Sequence, residues 1–324
     1  MPTAPPVAII GLGLIGGSLA LRLRAAGSEV WAHDTSAETL EAAGVHDIRP
    51  FPGLEGMLAA LPDGSLVVVA TPLEDAVALM PVLALLTDDQ VTITDVVSVK
   101  SAVLEAARAA GLADRYVGAH PMAGTTESGF AAAGADLLRE ATWVVALEDD
   151  TDLDRWVQVC RLALGAGGRV VPTDAEWHDH AAAWISHLPH VLAEVLAANV
   201  EPRGLAGALA AGSYRDATRV AGTRPELVAA MLNGNRRMLT EVLESFLDQL
   251  EQATVAVRDG SVADLVARGY EHRRQWQARR DGSASTTPVR IPLGDPGARQ
   301  RLREVGAAGG FIVSHEDGAV TALA

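Results

Sequence analysis

The stretch Val7-Ala8-Ile9-Ile10-Gly11-Leu12-Gly13-Leu14-Ile15-Gly16-Gly17-Ser18-Leu19-Ala20-Leu21-Arg22-Leu23 decides the fold. An apolar run of strand character enters a Gly-x-Gly-x-x-Gly turn, and the turn runs directly into a helical pattern. That strand–turn–helix context makes the glycines a dinucleotide cradle rather than a chance spacing. Gly11 permits the tight turn, Gly13 lets a pyrophosphate approach the backbone, and Gly16 lets the helix pack on the strand. Leu14 and Ile15 open that helix, whose N-terminus faces the phosphates. Asp34 ends the next apolar run, 18 positions after Gly16. A carboxylate there accepts hydrogen bonds from ribose hydroxyls and repels a 2′-phosphate. No arginine stands at Thr35, Ser36 or Ala37, so NAD is favoured over NADP.

Outward from this motif, short β-rich runs alternate with helical ones as far as about Glu148, the pattern of a doubly wound parallel sheet. Strands are expected at Val7–Ile10, Glu29–Ala32, Leu66–Ala70, Val91–Asp95, Tyr116–Ala119 and Trp143–Leu147, with a further short one near Arg169–Val171. From Asp174 to about Arg280 the chain is almost wholly helix-forming. The expected fold is α/β: a Rossmann-like domain over 1–172, an all-helical domain over 173–281, and a linker with a short tail over 282–324. Val289–Leu293, Pro296–Val305 and Gly310–Val313 read as strand, helix and strand, too little chain for a core of its own, so docking onto the main body is open to it. Leu239, Leu243, Phe246, Leu247 and Leu250 form a helical stripe suited either to packing within the chain or to a seam between subunits.

Composition narrows the function classes. The 324 residues suffice for two domains, and the formal charge of −15 argues against nucleic acid and anionic membranes as partners. The apolar run Ala76–Leu86 is interrupted by Pro81 and falls far short of the ~20 residues of a membrane span. No charged leader or apolar signal core precedes Val7, so a cytoplasmic setting is expected. Cys160 is the single cysteine, which excludes an internal disulfide and a cysteine-based metal cluster. Among 26 lysines and arginines only Lys100 is a lysine.

Several residues carry potential chemistry. Thr71 in Ala70-Thr71-Pro72 closes a strand at the carboxyl edge of the sheet, where open α/β folds bind ligands. Ser98, in Asp95-Val96-Val97-Ser98-Val99-Lys100, sits at the same edge. Lys100 either touches substrate or pairs with Asp95. His120 follows the fifth expected strand, and Pro121 holds it extended; its ordinary pKa near ~6.5 suits a general base that takes a hydroxyl proton as a hydride leaves carbon. His178, His180, His187 and His190 crowd one helical stretch without the carboxylate arrangement of a zinc site, so no metal is expected. Pro189 should bend that helix and tip His187, rather than His190, toward the interdomain cleft. Arg215 and Arg219, four apart, share a helical face and could clamp a carboxylate.

Taken in order, Gly-Leu-Gly-Leu-Ile-Gly-Gly-Ser, Ala-Thr-Pro, Asp-Val-Val-Ser-Val-Lys, Gly118-Ala119-His120-Pro121-Met122-Ala123-Gly124-Thr125, Ser186-His187-Leu188-Pro189-His190 and the Arg215/Arg219 segment resemble the prephenate and arogenate dehydrogenases of tyrosine biosynthesis. The resemblance spans about Val7 to Arg280. It implies NAD-dependent oxidative decarboxylation, with His120 bonded to the ring hydroxyl and Ser98 orienting His120 and touching cofactor or substrate. It further implies that Arg219 binds a substrate carboxylate, that His187 lines the pocket, and that the helical domain forms a homodimer. Val97 replaces a common glycine and Arg215 a common lysine. Some relatives place a carboxylate one residue before Glu127, so its role is not carried over. The tail is too short for a complete regulatory domain. A β-hydroxyacid dehydrogenase would ordinarily use a lysine early in the second domain, and none exists there. A nucleotide-sensing protein without activity would have no need of Ser98, His120 and Arg219 together.

Overall fold

A computed structural model describes residues 5–125, 127–280 and 287–323. Six strands, β1 (Val7–Ile10), β2 (Val30–His33), β3 (Arg49–Pro50), β4 (Leu66–Val69), β5 (Thr92–Asp95) and β6 (Tyr116–Val117), form one sheet in the order β3-β2-β1-β4-β5-β6. Every pairing in it is parallel. Helices cover both faces, so β4 and β5 are buried throughout, as apolar strands without alternation require. The order reverses between β1 and β4, which puts the Gly11–Gly16 turn at the crevice where such sheets take ligands.

The expected strand 116–119 does not stay in this sheet. At Gly118 the chain crosses into a second, mixed sheet, built from β7 (Ala119–Pro121), β8 (Thr142–Ala146), β9 (Arg169–Thr173), β10 (Pro288–Pro292), β11 (Phe311–Glu316) and β12 (Ala319–Leu323) in the order β10-β12-β11-β9-β8-β7. The expected strand 143–147 therefore belongs with β7, to which it runs antiparallel, and not with the parallel sheet. Periodicity marks an apolar strand but not the sheet that receives it. β3 is two exposed residues long and gave no apolar signal.

The tail is part of the body. Ile291, Leu302, Val305, Ile312 and Val320 are buried in the same cluster as Trp143, Trp156 and Cys160, and β11 hydrogen-bonds β9. The last strand, absent from the sequence reading, is generated by Asp317-Gly318. Both residues have positive φ, 49° and 66°, the geometry of a tight hairpin turn that Asp-Gly favours.

In the helical region, Ala175–Ala182 and Leu188–Ala198 are joined without interruption by a π turn over Ala183–His187. Pro189 has no N–H for the carbonyl one turn back, and the ladder widens to a π turn ahead of it. By length and composition Ala175–Ala198 is apolar enough to cross a membrane, with a mean hydropathy of 1.2, a longer apolar segment than Ala76–Leu86. Yet it buries His178, Asp179 and His187 against the protein. Leu239 is buried against Ala183 and Leu188, with Leu243 and Phe246 packed alongside, whereas Leu247 and Leu250 of the same stripe are exposed. Helix Pro225–Gly234 meets the nucleotide-type domain at Gly234, where a β-carbon would strike Leu73.

Candidate active site

The glycine cradle has the geometry its chemistry requires. Gly11 has φ +94°, and a β-carbon there would stand 2.8 Å from the Ala70 carbonyl oxygen; one at Gly16 would stand 2.8 Å from the Ala70 β-carbon. Gly13 faces open space instead, as it must where a ligand approaches the backbone. Helix Leu14–Ala25 begins immediately after Gly13 with no side-chain cap, leaving N–H groups of its first turn for an anion. The Asp34 carboxylate accepts bonds from the Leu12 N–H and the Ser36 N–H, both at 2.8 Å. It thus fixes the turn and keeps lone pairs on each oxygen. Beside Gly11, the buried Thr71 hydroxyl has no partner among the described residues. An empty approach at Gly13, a free helix end and an orphan hydroxyl together fit a dinucleotide.

His120 lies on β7, half-buried, with Nδ1 2.9 Å from His178 Nε2. His178 Nδ1 donates to Asp179 Oδ1 at 2.8 Å, and the same carboxylate accepts the backbone N–H groups of Lys100 and Ser101 at 2.7 and 2.9 Å. The tautomers follow. Asp179 takes the Nδ1 proton of His178, so neutral His178 offers Nε2 as acceptor, His120 donates its Nδ1–H, and His120 Nε2 keeps its lone pair. No hydrogen bond joins Ser98 to His120 among the described residues. Ser98 is half-buried on the bend after β5, and the orienting partner is His178.

Beneath this triad, Lys100 is buried. Its ammonium pairs with Asp95 and donates to the Ala119 carbonyl at 2.7 Å, and Asp95 also accepts from the Tyr116 hydroxyl and from the Val97 N–H. Of the two readings open for Lys100, pairing with Asp95 is the one observed. The ammonium thereby pins the residue next to His120 where the chain changes sheets. Burial, then the neighbouring charges of His178, Lys100 and His187, holds the His120 pKa well below 6.5. Burial pushes Asp179 upward, but its bonds from His178, Lys100 and Ser101 outweigh this and lower it.

His187 is buried, and burial with the charge of His178 and His190 lowers its pKa to about 4 against the opposing pull of Asp179. Its Nδ1 lies 3.0 Å from Asn235 Nδ2. His190, set behind His187 by the sequence, has a buried Nδ1 without a partner among the described residues and feels the charge of Arg219. Through one hydrogen bond and then through charge, the influence of each group on the next runs His120, His178, His187, His190, Arg219. Arg215 and Arg219 fall in two successive helical elements. The α-helix ends at Thr218 and tightens to a 3-10 turn at Arg219, while exposed Arg215 pairs with its neighbour Asp216 at 3.4 Å. Glu127 is exposed and outside this series.

By register, His120 and Val144 are partners on one face of the second sheet. Met122, Thr142, Val144, Val171 and Thr173 floor a groove of about 1120 Å³ between helices Ala175–Ala182 and Ala298–Ala307, and His178 reaches its edge. Sequence reasoning weighed His178 only as a metal ligand and missed Asp179 and Asn235. The adjacent His178-Asp179 was visible, but only the topology brings it to a histidine 58 residues earlier.

Family models match the two halves of this architecture: prephenate dehydrogenase, nucleotide-binding domain, over residues 19–172, and prephenate dehydrogenase, dimerization domain, over 174–268. The chain belongs to the prephenate dehydrogenase family. It is 31% identical over 306 residues to the prephenate dehydrogenase of Bacillus subtilis, covering 90% of this chain and 77% of that one. A Corynebacterium glutamicum structure described as a candidate prephenate dehydrogenase superposes with TM-score 0.85 at 36% identity, covering 95% and 98% of the two chains. The Aquifex aeolicus prephenate dehydrogenase, solved with hydroxyphenyl propionate and NAD+, gives TM-score 0.74 at 25% identity and covers 86% and 98%.

Proposed function

We propose that this enzyme oxidatively decarboxylates prephenate to 4-hydroxyphenylpyruvate and carbon dioxide with NAD. The observation that carries the reading is the His120–His178–Asp179 series, which leaves one imidazole nitrogen with a lone pair in a chain that also carries a dinucleotide cradle. Gly11, Gly13, Leu14, Ile15 and Gly16 hold the pyrophosphate, Asp34 the adenosine ribose, and Thr71 the cleft side of the cofactor. Bound NAD supplies the electrophilic ring carbon that takes the hydrogen and electron pair lost by the substrate carbon. His120 Nε2 accepts the proton of the ring hydroxyl, and the new positive charge on the ring is shared through His178 with the Asp179 carboxylate. The C–C bond to the ring carboxylate breaks as the ring becomes aromatic, so the protein has mainly to align.

Arg219 receives a substrate carboxylate, His187 and His190 line the pocket between, and Ser98 reaches cofactor or substrate from the β5 edge. Arg215 plays the outer part of the clamp. The working unit is a cytoplasmic homodimer. In its support, Trp177 and Ile185 are each 66% exposed on Ala175–Ala198, and Leu247, Leu250, Val255 and Val257 are bare on Arg236–Arg258, an apolar surface suited to a second copy. The lysine a β-hydroxyacid dehydrogenase would use has no counterpart, since Lys100 is buried in an ion pair.

Reduced cofactor is measured by absorbance with prephenate and with arogenate, each with NAD and with NADP. Turnover of prephenate with NAD is expected. Turnover of arogenate alone reassigns the substrate, and binding of NAD without turnover of either returns the chain to a nucleotide sensor.

A further inference from the structure

Asn235 stands at the break between helices Pro225–Gly234 and Arg236–Arg258, with φ −108° and a buried side chain. Its amide reaches two groups at once. Nδ2 is 2.7 Å from the Asp179 carbonyl oxygen and 3.0 Å from His187 Nδ1. A carbonyl oxygen can only accept, which fixes the amide with nitrogen rather than oxygen toward both groups. The second N–H then points at His187 Nδ1. An amide nitrogen has no lone pair to offer, so Nδ1 must be the acceptor and the ring's single proton sits on Nε2.

We infer that Asn235 is a positioning residue that holds His187 as an Nε2–H donor, the opposite tautomer to His120, and so makes His187 a reader of an acceptor oxygen on the substrate. The inference rests on the site reading above. One imidazole in the site takes a proton and the other gives a hydrogen bond, and the difference is set by what each Nδ1 faces: a histidine acceptor for His120, an amide donor for His187. The acceptor class that fits is a carboxylate or carbonyl oxygen. A substrate hydroxyl that must shed its proton is better served by His120.

The test is the imidazole ¹⁵N spectrum of histidine-labelled full-length protein, with His187 assigned by its disappearance in His187→Gln. Wild type should show an unprotonated Nδ1 and a protonated Nε2. Asn235→Asp, which replaces the donor with an acceptor, should move the proton to Nδ1. It should also raise the substrate KM at least about tenfold while kcat changes less than about threefold. A protonated Nδ1 in wild type overturns the inference whether or not Asn235→Asp folds. An inverted tautomer in Asn235→Asp with unchanged KM overturns the recognition role. The spectrum needs no turnover, so an absence of dehydrogenase activity sinks the proposed reaction while leaving the tautomer assignment to be judged by itself.

Discussion

His120 and Arg219 stand at opposite ends of one series of groups, and their surroundings could hardly differ more. His120 is fixed on a strand, its Nδ1 held by His178, which Asp179 holds in turn, while Asp179 is anchored by two backbone N–H groups and Lys100 grips the adjoining carbonyl. Arg219 opens a short 3-10 turn, is exposed to solvent, and its charge acts on His190. One end of the site is finished before any ligand arrives, and the other is left for the ligand to finish. The division follows the chemistry. A proton acceptor needs a set tautomer and a set direction, whereas a guanidinium needs only to meet a carboxylate with its donors free.

The largest expected effect breaks the finished end. His120→Asn should lower kcat by about 10³-fold with KM nearly unchanged, because a base acts in the transition state more than in binding. His178→Gln should cost less, about 10²-fold in kcat, since His120 stays on its strand and loses only the partner that orients it. A fall in KM-controlled binding of equal size in either variant would show that these groups hold substrate rather than move a proton. The wild-type acid limb sharpens the same point. His120 must be neutral to act, and its pKa is pushed below 6.5 by burial, so kcat/KM should stay level as pH falls through 6.5 and decline only at lower pH. A limb centred at or above 6.5 would mean that another group controls the rate.

The buried end should also declare itself in stability. His187 has a folded pKa of about 4 against an ordinary 6.5. The unfolded chain therefore binds a proton first on acidification, and stability is lost as pH falls from 6.5 toward 4 and is level above 6.5. Between pH 7 and pH 5 the His187 share is about 2 kcal/mol. Denaturant unfolding of wild type and His187→Gln at both values should give a pH-dependence shallower in the variant by that amount. Equal slopes would place His187 in solvent.

What could be read from residues alone follows the same line. Gly11, Gly13 and Gly16 with Asp34 declared the cradle because their roles are local, each decided within a strand, a turn and a helix start. His120 was legible from its Pro121 neighbour and the strand before it. The change of sheet at Gly118 was not, since Tyr116–Ala119 is equally apolar on both sides of the crossing and only packing separates Val117 from Ala119. His178, Asp179 and Asn235 were hidden for a related reason. Their meaning lies in partners between 48 and 79 residues away, and no spacing rule reaches that far. The tail was underestimated for want of one turn: Asp317-Gly318 supplies the hairpin that turns a strand-helix-strand into three strands and lets Ile312 and Val320 enter the main core.

The open end offers the smallest effects and the finest discrimination. Arg219→Ala should raise KM about tenfold with kcat little changed, the loss of one charge-assisted contact at an exposed site. Arg215→Ala should raise it no more than about twofold, although sequence spacing made the two arginines equal. Arg215 already pairs with Asp216, both groups in open solvent, where such pairs contribute little in either direction, and Arg219 opens a separate 3-10 turn. If both variants raise KM equally, the substrate draws Arg215 away from Asp216 and the clamp closes on binding. That result would extend the contrast between the two ends, since a part assembled only by its ligand is the furthest departure from one bonded in advance.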